Sequence, residues 1–356
     1  MHSLRSKILS VTIGAIIITM IVATVFGIVA IRNICIDNSR LLLQLLCETG
    51  QKNLDSSLNS VESEVHYIST YVESDLKGLD DQELEEHLDR VNVIFEKVLK
   101  NTKGVMTYYY RIDPAVSSDV KGFWYVNTDG DGFQEHEVTD ITMYDTEDTS
   151  QLVWFTVPKA TGEPVWLPPY ITDNLDVKVI SYSTPIYLDG KFVGVIGVEL
   201  DYTYMAEMVD NITLYDNGYA FVNDSEGNIV YHPRMDVTTM GVQPAVPEGL
   251  LGDTEIIKYT YEGVDKIAVV LPLVNGDRLN VSVPEKEVYE EMQKWINVII
   301  IVFFILLAIF ISLIMRYTGK ITRPLQELTE VAEQIDKGNY NHSLNYKGDD
   351  EIGVLT

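Results

Sequence analysis

Two long stretches without a charged residue set the frame for everything else in this chain. One runs from Ile8 to Ile31, 24 residues, and the other from Ile296 to Met315, 20 residues. At ~1.5 Å of rise per residue, roughly 20 helical residues cross a ~30 Å hydrocarbon core. A core helix of that length in a soluble protein would show polar residues at helical spacing, so both stretches predict transmembrane helices (residues 8–31 and 296–315). Lysine and arginine beside a span stay on the cytoplasmic side. Arg5 and Lys7 precede the first span, and Arg316, Lys320 and Arg323 follow the second. Residues 1–7 and 316–356 are therefore expected in the cytoplasm, with residues 32–294 outside the cell membrane. The alternative for the first stretch is a cleaved signal peptide, but the run is long for one and has no clear small-x-small site.

Charge divides along the same lines. Residues 32–294 hold 19 Lys and Arg against 46 Asp and Glu, while the cytoplasmic pieces hold 7 of each. A segment this acidic repels nucleic acid and anionic headgroups and weakly favours cations. The plainer consequence is a solvated surface that resists aggregation. The two cysteines, Cys35 and Cys47, lie just beyond the first span. On one helix they stand roughly 18 Å apart, too far to pair with each other. A bridge between equivalent cysteines of two subunits and two free thiols both remain open.

Past the first span helical character continues to about Lys77. Leu54, Leu58, Val61, Val65, Ile68 and Val72 step by four and three, a heptad seam that can pack on its own domain or on a second subunit. A second amphipathic helix, Asp80 to Lys100, carries Leu84, Leu88, Val91, Phe95 and Val98, and Gly78 separates the two. From Val105 the period shortens. Val105–Ile112, Gly122–Val126, Lys178–Ile186 and Phe192–Leu200 predict strands, punctuated by Asp-Pro and Asp-Gly turns. A short helix follows Asp201. A second strand set runs through Tyr219–Asn223, Ile229–His232, Glu255–Tyr261, Lys266–Leu273 and Arg278–Val283, and Pro284 suits the first turn of the helix into the second span. The fold class is α/β (α+β): two tandem modules, about residues 32–210 and 211–294, the larger farther from the membrane. Beyond Arg316, Ile321, Leu325, Leu328, Ala332 and Ile335 repeat the heptad, which favours a parallel coiled coil in a homodimer.

Thr322-Arg323-Pro324-Leu325 with Leu328, the break at Gly338, and Asp350-Glu351-Ile352-Gly353 resemble a HAMP domain over residues 316–356. That resemblance implies a parallel helical bundle that relays signals from membrane spans to an output domain. Gly122-Phe-Trp-Tyr, Val153-Trp154-Phe155, Trp166-Leu-Pro-Pro-Tyr170, Ile180-Ser-Tyr-Ser-Thr-Pro185, Val193 to Asp201 and Tyr219 to Pro233 resemble the double Cache sensors of bacterial receptors. It implies a long N-terminal helix, two PAS-like sheets and a small extracellular ligand in the distal module. Many amino-acid-binding members have Arg where this chain has Leu152, and Asp where it has Glu199; their Tyr is kept as Tyr170. An aromatic wall with one carboxylate and no arginine suits a cationic or neutral solute. The expected pocket lies between sheet and overlying loop, with Trp154, Phe155 and Tyr170 as wall, Glu199 as charged contact and Asp173 as a second.

Each of these residues also has a plainer use. Aromatics at strand spacing, Trp154, Phe155, Trp166 and Tyr170 among them, commonly serve as core. Asn127-Thr-Asp129-Gly-Asp131-Gly132 opens like a calcium loop, but position 12 is Val138 rather than Glu, so a hairpin turn is expected. The six histidines are scattered, and no hydrolase, metalloprotease or phosphate-loop motif is present. No catalytic site, metal or cofactor is predicted. The expected activity is signal reception, passed to an output module of diguanylate cyclase, histidine kinase or chemotaxis type. The rival class, an adhesive surface protein, has no use for a heptad relay behind its second span.

Overall fold

The computed structural model describes residues 4–172, 174–237, 244–251, 256–339 and 353. The chain divides into two compact units, Arg40–Glu287 and a second made of Met1–Ser39 with Val288–Thr356.

In the first unit, helix α1 (Leu4–Asp75) supplies one long wall. Helix α2 (Asp81–Leu99) starts where the Asp80 carboxylate accepts the Glu83 N–H at 3.2 Å, an N-cap that satisfies one of the donors every helix start leaves open. Strands β1 (Val105–Ile112), β2 (Gly122–Val126), β3 (Gln134–His136), β4 (Val165–Trp166), β5 (Tyr170–Ile171), β6 (Lys178–Leu188) and β7 (Lys191–Asp201) form an antiparallel sheet. Its order is β3-β2-β1-β7-β6-β4, with β5 also on β6.

Side chains alternate across that sheet. Tyr108, Tyr110 and Ile112 of β1, with Ile196, Val198 and Leu200 of β7, face α1 and α2. The α1 seam residues Leu54, Leu58, Val61, Val65, Ile68 and Val72 are all buried within this one chain, so the seam's partner is its own fold and not a second subunit. Each such burial stabilises by roughly 1.5–3 kcal/mol. The opposite face carries Thr107, Tyr109 and Arg111, with Val195 and Glu199 beside them on β7. That face is covered by helix α3 (Val153–Thr161), and Tyr109, Val195 and Phe155 share a second apolar cluster there. With both faces covered, all eight residues of β1 are buried, and the strand shows no polar alternation.

A second antiparallel sheet has the order β10-β11-β12-β8-β9, from β8 (Tyr219–Asn223), β9 (Ile229–Tyr231), β10 (Ile257–Tyr261), β11 (Val264–Pro272) and β12 (Arg278–Pro284). Helix α4 (Tyr202–Asp210) joins the two sheets and is capped by Asp201, which accepts the Thr203 N–H at 2.7 Å. Here α1 lies tight on the second sheet: a Cβ added at Gly50 would come within 3.0 Å of Leu279 Cδ2 on β12, and within 2.3 Å of Ile212 Cδ1 just past α4. Cys47 is fully buried at the same contact, its Sγ 3.6 Å from the Val269 and Leu279 carbonyls. Burial pushes its thiol up to about 12, which keeps it protonated and unreactive. Neither cysteine is paired within the chain.

Several sequence expectations are corrected. Trp154 and Phe155 sit on helix α3 and not at strand spacing. Val98 is only partly buried, and Leu99 takes the core position. Pro284 ends β12, and the following helix, α5 (Glu285–Asp336), begins one residue later. Edge strands β3, β4 and β5 are two or three residues long, too short for periodicity to register. The Asn127 loop is a turn in which the Asn127 side-chain oxygen accepts the Gly130 N–H at 2.9 Å and the Gly132 N–H at 3.3 Å.

In the second unit, α1 and α5 are each long and apolar enough to cross a membrane, and their apolar windows contain no buried residue. A Cβ on Gly27 would meet Ile299 Cδ1 at 3.5 Å, an ordinary van der Waals contact, so the two helices touch there. The second heptad runs along the end of α5, where Ile321 and Ile335 are exposed. Gly338, at φ 84°, stops the helix; its N–H reaches the Ile335 carbonyl at 2.9 Å and that of Asn339 reaches Gln334 at 2.9 Å. Of the Asp350–Gly353 motif only Gly353 is among the described residues.

Candidate functional site

The face of the seven-stranded sheet that carries Tyr109 and Glu199 does not close fully against α3. Between them lies a cavity of about 280 Å³. Its floor is Tyr109 of β1. A Cβ at Gly197, the residue opposite Tyr109 in the register, would lie 2.2 Å from the Tyr109 hydroxyl, so only glycine lets the ring lie flat across β7. The hydroxyl then reaches Ser181 at 3.2 Å and Ser183 at 2.8 Å on β6. Trp154, in the first turn of α3, sets its ring edge-on to Tyr109 with centroids 5.0 Å apart. Leu152 precedes that helix in the left-handed region at φ 46°, a backbone setting a branched residue adopts only when packing imposes it. Lys159 bonds Asp113 at 2.9 Å and Glu147 at 2.8 Å, which ties the helix down from behind.

Glu199 is the acidic pole. It is 5% exposed, and its carboxylate accepts from the Thr107 hydroxyl at 2.5 Å and the Tyr170 hydroxyl at 2.7 Å. Burial raises its pKa, more than those two hydrogen bonds lower it. Tyr170 is raised well above the ordinary phenol value by burial and by the Glu199 charge, and it remains a donor.

Of the residues expected from sequence, Trp154, Tyr170 and Glu199 line the cavity together. Phe155, one residue on, points the other way along the helix and is fully buried with Ile141, Val195 and Phe192; it supports the wall and does not form it. Asp173 lies outside the described residues. Trp166 belongs elsewhere, on Tyr182 and Glu62.

The expectation of a pocket without arginine is corrected. Arg111 of β1 lines the cavity, as do Trp124, Thr139, Tyr144, Ser150 and Asn174. Spacing could have found Arg111, since it lies two and four residues from Tyr109 and Thr107 and so on their face. Within a run as apolar and aromatic as Tyr-Tyr-Tyr-Arg-Ile it reads as a strand-edge charge. Thr139, Tyr144 and Ser150 come from an irregular loop, where no periodicity signals a facing direction. Among the described residues no group of three or more His, Cys, Asp or Glu could hold a metal.

The Cache domain family model matches residues 30–292, and the HAMP domain family model matches residues 316–356. A relative, the methyl-accepting chemotaxis protein McpA of Bacillus subtilis, is 23% identical over 195 residues, which are 54% of this chain and 29% of McpA. The chain thus spans under a third of that relative's length. The extracellular domain of the putative histidine kinase mmHK1S-Z3 superposes with a TM-score of 0.56 at 19% identity, over 73% of this chain and 98% of that domain. The ligand-binding domain of the Pseudomonas aeruginosa chemoreceptor PctB, solved with L-Arg, gives 0.51 at 16% identity, over 71% and 98%. Neither matched family is a catalytic domain. With its two sheets, its cavity and a family match over most of its length, the chain belongs to the Cache-domain sensors, joined here to a HAMP domain.

Proposed function

We propose that this chain is the sensing and relay portion of a transmembrane receptor, which takes a small extracellular solute bearing a protonated amine into the seven-stranded module. One observation carries this reading: Glu199 is a buried carboxylate at the wall of a solute-sized cavity, and its partners are neutral hydroxyls. A buried charge without a countercharge is costly, and an ammonium between Glu199 and the aromatic wall of Trp154 and Tyr170 would neutralise it. The amino acid in the related PctB domain supports a small molecule as the class.

In the same reading, residues 8–31 and 296–315 cross the membrane, residues 32–294 lie outside, and residues 316–356 form the cytoplasmic relay. Two hydrogen bonds join the sheet to α1: Trp166 Nε1 donates to Glu62 at 2.7 Å, and the Tyr187 N–H donates to Glu73 at 3.1 Å. A ligand that shifts the sheet edge therefore pulls on α1. The exposed heptad on α5 and exposed Leu41, Leu42 and Leu45 on α1 supply faces for a second copy.

A melting screen of the whole chain in lipid nanodiscs against amines, amino acids, carboxylates, nucleobases and sugars tests the pocket. Binding at a hundredfold excess over Kd stabilises by ~2.7 kcal/mol. The hit should be an amine-bearing solute, and Trp154→Ala should remove it with the fold intact. A hit indifferent to Trp154→Ala would place the site elsewhere. For the dimer, oxidation of membranes should cross-link subunits through Cys35 and leave Cys47 unreacted. Absence of cross-links at Cys35, and at cysteines substituted along residues 325–335, would defeat the dimeric relay.

A further inference from the structure

The cavity has a basic pole as well as an acidic one. Arg111 is 2% exposed and lines it. One terminal nitrogen donates to the Lys121 carbonyl at 2.7 Å and the other to the Thr139 carbonyl at 2.8 Å, while Nε has no partner. A guanidinium offers five donors in a planar fork shaped for a carboxylate, yet no carboxylate of the described residues pairs with Arg111. Nearby Asp140 is spent on its own turn, accepting from the Thr142 N–H at 3.0 Å and its hydroxyl at 2.6 Å. Burial lowers the Arg111 pKa to about 10, with Asp140 opposing, so the group remains a cation at neutral pH.

The register sets where the two poles are rooted. Thr107 pairs with Glu199, and Arg111 with Val195. The backbone positions that carry the poles are four residues apart on one face, about 13 Å along the strand. The carboxylate is held at the Thr107 end by Thr107 and Tyr170. The guanidinium is held at the other end towards Lys121, on the β2 side and away from β7. Leu152, at the start of α3, offers no charge between them.

Building on the proposed sensor function, we infer that the cavity takes a zwitterion whose ammonium and carboxylate are several bonds apart, an ω-amino acid, with the ammonium at Glu199 and the carboxylate at Arg111. An α-amino acid carries both charged groups on one carbon and cannot engage both poles with direct hydrogen bonds, which are ~2.7–2.9 Å long.

The test is calorimetric titration of the whole chain in nanodiscs with glycine, β-alanine, 4-aminobutanoate, 5-aminopentanoate and 6-aminohexanoate, and with butylamine and butanoate. Affinity should peak at four to six carbons, and each single-charge analogue should bind roughly ten- to a hundredfold more weakly than the best zwitterion. Arg111→Met should reduce that zwitterion to the level of butylamine, and Arg111→Lys, which keeps the charge but loses the fork, should fall between. If Arg111→Met does not fold, the single-charge analogues and Arg111→Lys still decide. Glycine binding as tightly as the longer chains, or Arg111→Met leaving affinity unchanged, overturns the inference. So does a Glu199-dependent amine hit from the melting screen with no ω-amino acid binding, and that result leaves the sensor reading standing. No binding by any solute in either experiment would remove both.

Discussion

Val65→Asp is expected to unfold the sensor unit, whereas Tyr67→Asp, two residues along the same helix, should leave its melting unchanged. Val65 is fully buried between α1 and the seven-stranded sheet, and Tyr67 is 71% exposed. The first change removes the burial of a valine, roughly 1.5–3 kcal/mol. It also sets a carboxyl among apolar side chains with no partner, about another 1–3 kcal/mol for the neutral form and more for the anion. The sum is on the order of 5 kcal/mol, comparable with the whole stability of a small domain. An exposed substitution usually stays within about 0.5 kcal/mol. Tryptophan-fluorescence melting of the chain in nanodiscs reads both. The opposite pattern, Val65→Asp melting normally and losing only its dimer, would mean that the heptad seam serves a second subunit.

Glu199→Gln should raise the melting temperature of the unliganded protein at neutral pH and at the same time abolish binding of an amine-bearing solute. The two effects share a cause. Burial holds the Glu199 carboxyl above the usual carboxylate range, so the folded state binds its proton more tightly than the unfolded chain does. Its contribution to stability is present below the ordinary carboxylate pKa and is lost as pH rises through the raised folded value. Once ionised, the group works against folding, and glutamine, uncharged and nearly isosteric, relieves that. An ammonium ligand gains what the fold loses, since its affinity rises with pH across the same interval. Truncating one partner of a buried charge pair typically costs about 2–5 kcal/mol, a drop of thirtyfold or more. Melting curves and ligand titrations between acidic and neutral pH, on wild type and Glu199→Gln, check both. A Glu199→Gln variant that melted lower and still bound the amine would place the charge contact at another residue.

Strands β1 and β2, helices α2 and α4 and the stop at Gly338 were legible in the sequence because each is written locally. Asp80 and Asp201 cap the helices that follow them, Gly338 takes the positive φ that ends α5, and alternation or unbroken apolarity marks the strands. The cavity is partly legible: family resemblance points to Trp154, Tyr170 and Glu199, and all three line it. Phe155 differs from the expectation because Trp-Phe reads the same in a strand as in a helix of nine residues, and the choice of helix turns one ring into the cavity and its neighbour into the core.

The chain's local chemistry thus determined which segments are helices, strands and apolar spans, since periodicity and capping act within a few residues. Which surface covers which face was decided only by the tertiary structure. A heptad stripe such as Leu54 to Val72 specifies an apolar face without specifying its partner. That partner is the fold of the same chain: Val61, Val65, Ile68 and Val72 join the core that β1, β7 and α2 share, and Leu54 and Leu58 are buried as well. Arg111 became part of the cavity in the same way: its position on β1 set its face, but the register with β7 and the lid of α3 made that face the inside of a pocket.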